Sequence, residues 1–255
     1  MYEAHDSFRG PADPDQQIWR YVDFSKFVAM ISTGSLFFSR VESFNDPFEA
    51  SFTLGSVEGM DRAIEKLLES DMPEHGKRNL RAGWLAMTEN RKTSRGNAVV
   101  SCWHSSSYES AAMWSLYLKS NEGIAIRTTF KRLCNSFAVA KDTVLIGEVK
   151  YIDFERDSFN AGNMFEAFLH KRKSFEHEKE IRAIAPFGMP PDRLTAEARN
   201  IPVDLGELIE SVVIAPTAPD WFFEVVEQTT RKFGFNFPIE KSTLTQQPYF
   251  GVERL

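Results

Sequence analysis

Between Phe175 and Ile184 a dense run of charged residues leads directly into an apolar run, and this segment restricts the fold more than any other. The pattern predicts a short polar loop followed by a strand. Side chains on a strand alternate between its two faces, so we expect Glu178, Glu180 and Arg182 on one face. Charged groups on a buried strand are costly unless they are paired or used. The segment therefore predicts either an ion-paired sheet face or the edge of an active site.

Short strands and helices follow one another along the rest of the sequence, without the regular strand–helix–strand rhythm of a doubly wound sheet. Apolar patterning predicts strands within 18–22, 36–39, 98–103, 124–127, 144–152, 209–214 and 237–244, and helices within 24–33, 60–70, 113–117, 164–169 and 221–233. Gly34 and Gly234 are expected to end the helices that precede them. We predict an α+β fold with a mixed or antiparallel sheet core flanked by helices.

Residues 17–255 are predicted to form a single domain. Residues 1–16 are polar and rich in turn-forming residues, which predicts a flexible lead-in before that domain. The segment near 72–97 holds Pro, Gly and many basic residues, with Trp84 and Leu85 as apolar anchors. We expect this segment to be an exposed, partly helical insertion.

Composition excludes several classes of protein. The net charge of −6 argues against a general affinity for nucleic acids. The two cysteines, Cys102 and Cys134, lack ligand-type spacing, which argues for a reducing compartment and against a cysteine-based zinc site. No apolar run approaches the roughly 18 residues of a membrane span, and the N-terminus lacks the features of a signal peptide. We expect a cytoplasmic protein without a membrane partner.

The familiar catalytic motifs are missing, since the sequence contains no P-loop, GxGxxG, HExxH, GxSxG or CxxC pair. Four groups of residues are candidates for a binding or catalytic site: Arg20 with Tyr21, Asn45 with Asp46, Trp114 with Tyr117, and the charged segment described above. An arginine within a strand needs a carboxylate or phosphate partner, so Arg20 is a candidate anion ligand. Trp114 and Tyr117 are three residues apart on a predicted helix, where they either stack on a flat ligand or belong to the core.

The start of that helix also has a sequence signal. Ser106 and Glu109 fit the spacing of a capping box, in which each side chain accepts a hydrogen bond from the backbone N–H of the other residue. The pattern predicts a helix that begins after Ser106 and turns Met113, Leu116 and Tyr117 inward.

Short motifs spread over nearly the whole chain, from Ile18 to Leu244, point to a known family. They are Trp19–Tyr21, Leu36–Ser39, Phe44–Glu49, Ser101–Trp103, Met113–Tyr117, Gly123–Ile126, Phe175–Arg182 and Ala215–Phe222. Their combination resembles the bacterial domain-of-unknown-function family 2971 (DUF2971). That family carries no established activity, so the resemblance implies a domain and not a reaction.

The segment Glu178–Pro186 is also similar to the Glu-x-Glu segment of arginine-type ADP-ribosyltransferases, whose pattern has the order Arg, Ser, Glu-x-Glu. The resemblance implies that Glu180 stabilises an oxocarbenium-like transition state on the nicotinamide ribose. It implies that Glu178 positions or deprotonates the acceptor. It further implies that Arg20 binds the phosphates of NAD and that Ser101 lies under the nicotinamide.

In the same scheme Tyr21 belongs to the cofactor-binding group, and Trp114 or Tyr117 stacks on the nicotinamide. The sequence departs from the transferase pattern at two places. The middle motif reads Ser-Cys-Trp at Ser101 instead of Ser-Thr-Ser. In addition, Arg182 lies two residues after the implied catalytic glutamate, where it can neutralise that carboxylate.

Three hypotheses about function follow. The first is an NAD-using ADP-ribosyltransferase or NAD glycohydrolase, acting as a toxin or phage-defence effector, with NAD as a nucleotide substrate and an unknown protein or nucleic acid as acceptor. The second is a non-catalytic binding module whose ion pairs fix the fold, formed by Arg20, Asp46, Glu180 and Arg182. The third is a metal-dependent nuclease or hydrolase in which four carboxylates surround a divalent ion: Asp46, Glu49, Glu178 and Glu180.

Overall fold

The structure is a computed structural model that describes residues 1–96, 98–186 and 198–248. The α-helices are α1 Phe24–Thr33, α2 Leu54–Glu69, α3 Glu74–Thr93, α4 Ala111–Tyr117, α5 Phe130–Ser136, α6 Met164–Phe168, α7 Leu205–Leu208 and α8 Asp220–Lys232. The strands are β1 Gln17–Asp23, β2 Ser35–Arg40, β3 Ala98–Ser105, β4 Gly123–Thr129, β5 Leu145–Glu148, β6 Lys150–Ile152, β7 His170–Arg172, β8 Glu180–Pro186, β9 Ala198–Pro202, β10 Ser211–Ile214 and β11 Ile239–Lys241. Most strand pairs are antiparallel, and the predicted α+β class with a mixed sheet is confirmed.

The described residues fall into two compact units. Unit 1 comprises Met1–Pro11, Phe37–Cys102 and Ala140–Ile201, and unit 2 comprises Ala12–Leu36, Trp103–Val139 and Pro202–Leu255. Three of the boundaries between the units fall within strands, in β2, β3 and β9. The prediction of a single domain over 17–255 stays a prediction. Among the described residues, no helix combines the length and the apolar character that crossing a bilayer requires.

Unit 1 contains two pairs of strands that matter for the site. Strand β5 runs antiparallel to β8, with Gly147 opposite Arg182. Strands β6 and β7 form a separate parallel pair, with Ile152 opposite Arg172 at their carboxyl ends. A core cluster of apolar side chains supports this unit: Phe8, Val41, Val100, Leu145, Phe168 and Ile184.

The N-terminal segment is anchored in unit 1, where the sequence predicts a flexible lead-in. The backbone N–H of Glu3 donates to the carbonyl of Val144 at 3.0 Å, and the N–H of Glu148 donates to the carbonyl of Arg9 at 2.9 Å. The side chain of Phe8 is only 5% exposed. A single buried aromatic in a polar segment has no periodicity, so pattern analysis does not detect such an anchor.

Helix α2 corresponds to the helix predicted within 60–70, and helix α3 spans most of the predicted insertion near 72–97. Thr53 caps α2, since its Oγ1 accepts a hydrogen bond from the N–H of Ser56 at 3.2 Å, and the helix therefore begins six residues before the predicted start. Helix α3 follows, and none of its side chains between 74 and 89 is buried. The side chains of α3 up to 89 are exposed or half-buried, and the role of this segment as an insertion stays a prediction.

Unit 2 is built around the pairing of β1 with β4. These strands pair antiparallel along their whole length, from Gln17 opposite Thr129 to Asp23 opposite Gly123. Strand β10 continues the sheet antiparallel to β4, and β11 pairs with β10 in parallel, which confirms the strand predicted within 237–244. Gly34 follows α1 with a left-handed φ of +60°, a conformation that costs glycine nothing, and it confirms the predicted helix end.

Candidate functional site

The charged side chains of β8 form the centre of an ion-pair network in unit 1. Glu180 and Arg182 are two residues apart on the strand, so both lie on the same face. Arg182 donates from Nε to Oε1 of Glu180 at 2.8 Å and from Nη2 to Oε2 at 3.0 Å. It also donates from Nη2 to Glu49 at 2.8 Å and from Nη1 to the carbonyl of Phe168 at 2.8 Å. A guanidinium that is completely buried is thus satisfied on all three nitrogens.

A second cation, Lys171 on β7, lies among three carboxylates. Its Nζ is 3.0 Å from Oε1 of Glu49, 2.6 Å from Oε2 of Glu178 and 3.4 Å from Oε2 of Glu180. The ion-pair network therefore consists of Glu49, Lys171, Glu178, Glu180 and Arg182. It holds three acidic and two basic side chains, so one negative charge is not balanced within it.

The protonation of the network follows from its geometry. Burial alone would raise the pKa of Glu180. The positive charges and hydrogen bonds of Arg182 and Lys171 have the larger effect and lower this pKa to about 2. Burial lowers the pKa of Lys171, and the carboxylates of Glu180 and Glu49 outweigh that effect and raise it. For Glu178 burial dominates, and its pKa is raised. Glu180 is thus firmly ionised, whereas Glu178 takes up a proton more easily than Glu180 does.

The predicted position of Glu178 on the strand is wrong. Residues Lys173–Glu178 form a 3-10 helix, and Lys179 adopts a left-handed φ of 40° before β8 begins at Glu180. The reversal at Lys179 takes Glu178 off the strand. Its side chain still joins the ion-pair network because Lys171, on the neighbouring β7, reaches it.

Asp46 and Arg172 form a second ion pair in unit 1. Arg172 donates from Nη2 to Oδ1 of Asp46 at 2.7 Å and from Nε to Oδ2 at 3.2 Å. The guanidinium carbon lies 4.6 Å from the centre of the Phe48 ring. Oδ1 of Asp46 also accepts from the N–H of Phe48 at 3.0 Å, which closes the predicted turn. Asn45, the other candidate in this turn, is exposed.

An open pocket of about 760 Å³ lies within unit 1 at the carboxyl ends of β6 and β7. The residues that follow these strands line it, at 152–155 and 172–174. Its apolar surface includes the rings of Phe48, Phe52 and Phe154. Phe48 is 41% exposed and packs edge-to-face against Phe154, with 5.5 Å between ring centres. The pocket contains none of the residues that the sequence predicts as a site.

Ser101 and Cys102 lie on β3 in unit 1. Ser101 is buried. Burial and the neighbouring carboxylate of Glu180 raise the pKa of the Cys102 thiol well above its ordinary value. A protonated thiol that donates a hydrogen bond to Glu180 is a weak nucleophile, so Cys102 belongs with the packing around the ion-pair network.

The remaining candidates lie in unit 2. The guanidinium of Arg20 lies over the ring of Trp103 at 5.7 Å. Tyr21 and Trp114 meet edge-to-face at 4.8 Å in the core of the unit, and burial raises the pKa of Tyr21 to about 12. Tyr117 is 43% exposed. Glu178, Glu180, Arg182, Asp46 and Ser101 are thus residues of unit 1, whereas Arg20, Tyr21, Trp114 and Tyr117 are residues of unit 2.

Helix α4 differs from its prediction. Ser110, and not Ser106, caps it by accepting a hydrogen bond from the N–H of Met113 at 3.3 Å. Met113 and Trp114 are buried, whereas Leu116 and Tyr117 face outward. The helix ends at Tyr117, so Leu116 and Tyr117 belong to its last turn, where both side chains are exposed. The expectation that Met113 turns inward is confirmed, and the expectation for Leu116 and Tyr117 is wrong.

The four carboxylates of the metal hypothesis are already paired with basic side chains of the protein. Three of its four carboxylates surround Lys171, and the fourth, Asp46, binds Arg172. Within residues 1–96, 98–186 and 198–248, no group of three His, Cys, Asp or Glu side chains is arranged to hold a metal ion. Protein cations thus occupy the places that this hypothesis gives to a divalent ion.

Lys171 and Arg172 are members of these clusters that the sequence pattern does not predict. Both belong to the basic run 171–173, which looks like the solvated end of a helix. Charge counting could have found one of them, since three buried carboxylates near a single arginine require a further cation.

No protein-family model, no curated protein and no solved structure matches this chain. The resemblances to DUF2971 and to ADP-ribosyltransferases therefore stay predictions.

Proposed function

We propose that this protein is a non-catalytic ligand-binding protein, in which the ion-pair network fixes the framework and the pocket at the ends of β6 and β7 receives the ligand. The main support for this proposal comes from the ion pairs of Glu180. Both of its carboxylate oxygens are already bound, Oε1 by Arg182 and Oε2 by Arg182 and Lys171. A carboxylate whose two oxygens are both bound by buried cations serves to stabilise the fold.

The energetics favour the same conclusion. The side chain of Glu180 is only 4% exposed, and that of Arg182 is completely buried. Breaking a buried ion pair on one side costs ~3–5 kcal/mol, because it leaves the other charge uncompensated. Stabilising a cationic transition state with Glu180 would require this cost in every catalytic cycle, unless the substrate cation replaced Lys171 or Arg182.

The pocket supports binding as the activity. Its volume of about 760 Å³ lies within the ~300–1,000 Å³ of typical small-molecule sites. Arg172 is held in place by Asp46 and by the Phe48 ring, so part of the wall is preorganised.

The ADP-ribosyltransferase hypothesis requires instead that Glu180 stabilises a cationic transition state. One experiment distinguishes this hypothesis from the proposed binding function. Glu180→Gln and the control Glu176→Gln, an exposed residue of the preceding 3-10 helix, are compared with the parent protein. Urea unfolding gives the stability of each variant, and chromatography measures nicotinamide released from NAD. We expect a stability loss of ~3–5 kcal/mol for Glu180→Gln alone and no nicotinamide from any of the three proteins.

Release of nicotinamide by the parent protein, lost in Glu180→Gln at unchanged stability, would overturn the proposal. Unchanged stability without any NAD cleavage would also contradict it, because the network would then not be structural.

A further inference from the structure

We propose that the pocket at the ends of β6 and β7 binds a nucleoside monophosphate, with its base against the phenylalanine rings and its phosphate on the side chains of Arg172 and Lys173. This inference rests on the proposed function and adds the class of ligand.

The anion-binding part of the pocket consists of three consecutive residues. Arg172 uses Nε and Nη2 for Asp46, and Nη1 donates no hydrogen bond to any described residue. Lys173 is exposed and has no ion pair within the described ranges, and the same residues leave the hydroxyl of Ser174 without a hydrogen bond. Charge-assisted hydrogen bonds from arginine and lysine, with a serine hydroxyl beside them, suit a phosphate group.

The apolar part suits a flat ring. The partly exposed Phe48 and Phe52 line the pocket, and the buried Phe154 lines it too, with its ring in a T-shaped contact with that of Phe48. Stacking of a base on an aromatic side chain is worth ~1–3 kcal/mol. The partly exposed Phe48 lines the pocket together with Arg172, whose Nη1 has no described hydrogen-bond partner, and with the exposed Lys173. A phosphorylated aromatic compound can contact the ring with its aromatic part and the two cations with its phosphate.

Two carboxylates, Asp153 and Glu155, also line the pocket. They disfavour a highly charged ligand such as a triphosphate, because like charges repel at close range. Carboxylates accept hydrogen bonds from the hydroxyl groups of a ribose, as the acidic residue of dinucleotide-binding folds does. Arg172 is paired with Asp46, and Asp153 is paired with Arg156. Lys173 and Glu155 are thus the lining charges without an ion pair among the described residues, and this balance favours a ligand with one phosphate and a sugar.

Isothermal titration calorimetry with adenosine monophosphate (AMP), adenosine and inorganic phosphate tests the inference. Lys173→Gln removes one proposed hydrogen-bond donor to the phosphate. It should not affect folding, because the side chain is exposed. Lys66→Gln is the matched control, an exposed lysine of α2 outside the pocket. Phe48→Ala removes the proposed stacking surface. Guanosine, cytidine and uridine monophosphates complete the panel.

We expect AMP to bind more tightly than adenosine or phosphate. Lys173→Gln should weaken AMP binding about tenfold and leave adenosine binding unchanged, as a charge-assisted contact predicts. Phe48→Ala should weaken the binding of both AMP and adenosine. Lys66→Gln should change neither.

Two results would overturn the inference. The first is that no mononucleotide of the panel binds at millimolar concentration, and the second is that Lys173→Gln binds AMP as the Lys66→Gln control does. Either result leaves the proposed function standing if Glu180→Gln is still destabilised without NAD cleavage, so the two failures are distinguishable.

Discussion

The guanidinium of Arg182 binds the carboxylate of Glu180 through two parallel hydrogen bonds, from Nε at 2.8 Å and from Nη2 at 3.0 Å. The two residues are neighbours on one face of β8, and neither side chain has meaningful access to solvent. Such bidentate geometry is the strongest form of a protein ion pair. The contribution of each residue to the free energy of unfolding therefore depends on whether its partner is present.

Replacement of Arg182 by methionine should be among the most destabilising single substitutions in unit 1. The change leaves Glu180 and Glu49 with Lys171 as their remaining cation, and a buried ion pair broken on one side costs ~3–5 kcal/mol. Urea unfolding measures the loss. Arg156→Met is the control, since that side chain is 85% exposed and should change stability by ~0.5 kcal/mol or less. Equal losses in the two variants would show that the network contributes nothing.

The stability contributed by Glu180 should depend on pH in a defined window. The folded-state pKa is lowered to about 2, whereas the ordinary value is 4.5. An acid with a lowered folded-state pKa contributes stability that is present above its unfolded-state pKa and lost as the pH falls through its folded-state pKa. The stability difference between the parent protein and Glu180→Gln should therefore shrink from about pH 4.5 towards about pH 2. A difference that stays constant over this window would contradict the shifted pKa.

Lys171 should behave as a built-in counter-ion that excludes metals. Replacing it with glutamine leaves Glu49, Glu178 and Glu180 around the space of its ammonium group, and three carboxylates are suitable ligands for Ca²⁺ or Mg²⁺. We expect Lys171→Gln to be destabilised and to regain melting temperature when Ca²⁺ is added. The parent protein should not respond. A rise of similar size in both proteins would show that the ion binds elsewhere.

Much of this architecture is accessible from sequence because it depends on local pattern. The period-2 alternation from Glu180 to Arg182 correctly places both charges on one face, and Gly34 and Gly234 correctly end helices α1 and α8. Local capping signals are less certain, because two serines compete before α4 and only Ser110 makes the capping hydrogen bond. Local pattern does not place Lys171 beside Glu49, since this one of its three carboxylate partners is 122 positions earlier in the chain.

The anchored N-terminal segment gives another testable difference from the sequence prediction. Phe8 is buried in the core of unit 1, so Phe8→Ala should cost ~3–5 kcal/mol, the usual loss for a buried phenylalanine. Gly147→Ala should also destabilise, because the new Cβ would lie 3.0 Å from the backbone Cα of Phe8. Differential scanning calorimetry measures both. A flexible lead-in predicts no change for either substitution.

Glu109 should control the segment that follows β11 in unit 2. Its Oε2 accepts from the hydroxyl of Ser242 at 2.6 Å and from the indole N–H of Trp114 at 3.0 Å. Its Oε1 accepts from the backbone N–H of Thr243 at 2.6 Å. These four residues join helix α4 to the 3-10 helix Thr243–Thr245 through one carboxylate.

Glu109→Gln keeps the shape of this side chain but removes one acceptor and the charge. We expect a loss of ~1–3 kcal/mol in stability, a changed Trp114 fluorescence and faster trypsin cleavage after Lys241, because the segment is then released more often. Glu122→Gln is the control, since Glu122 is exposed in the same unit and its carboxylate accepts no hydrogen bond from a described residue. Cleavage after Lys241 at the same rate in both variants would mean that β10, and not Glu109, holds the segment in place.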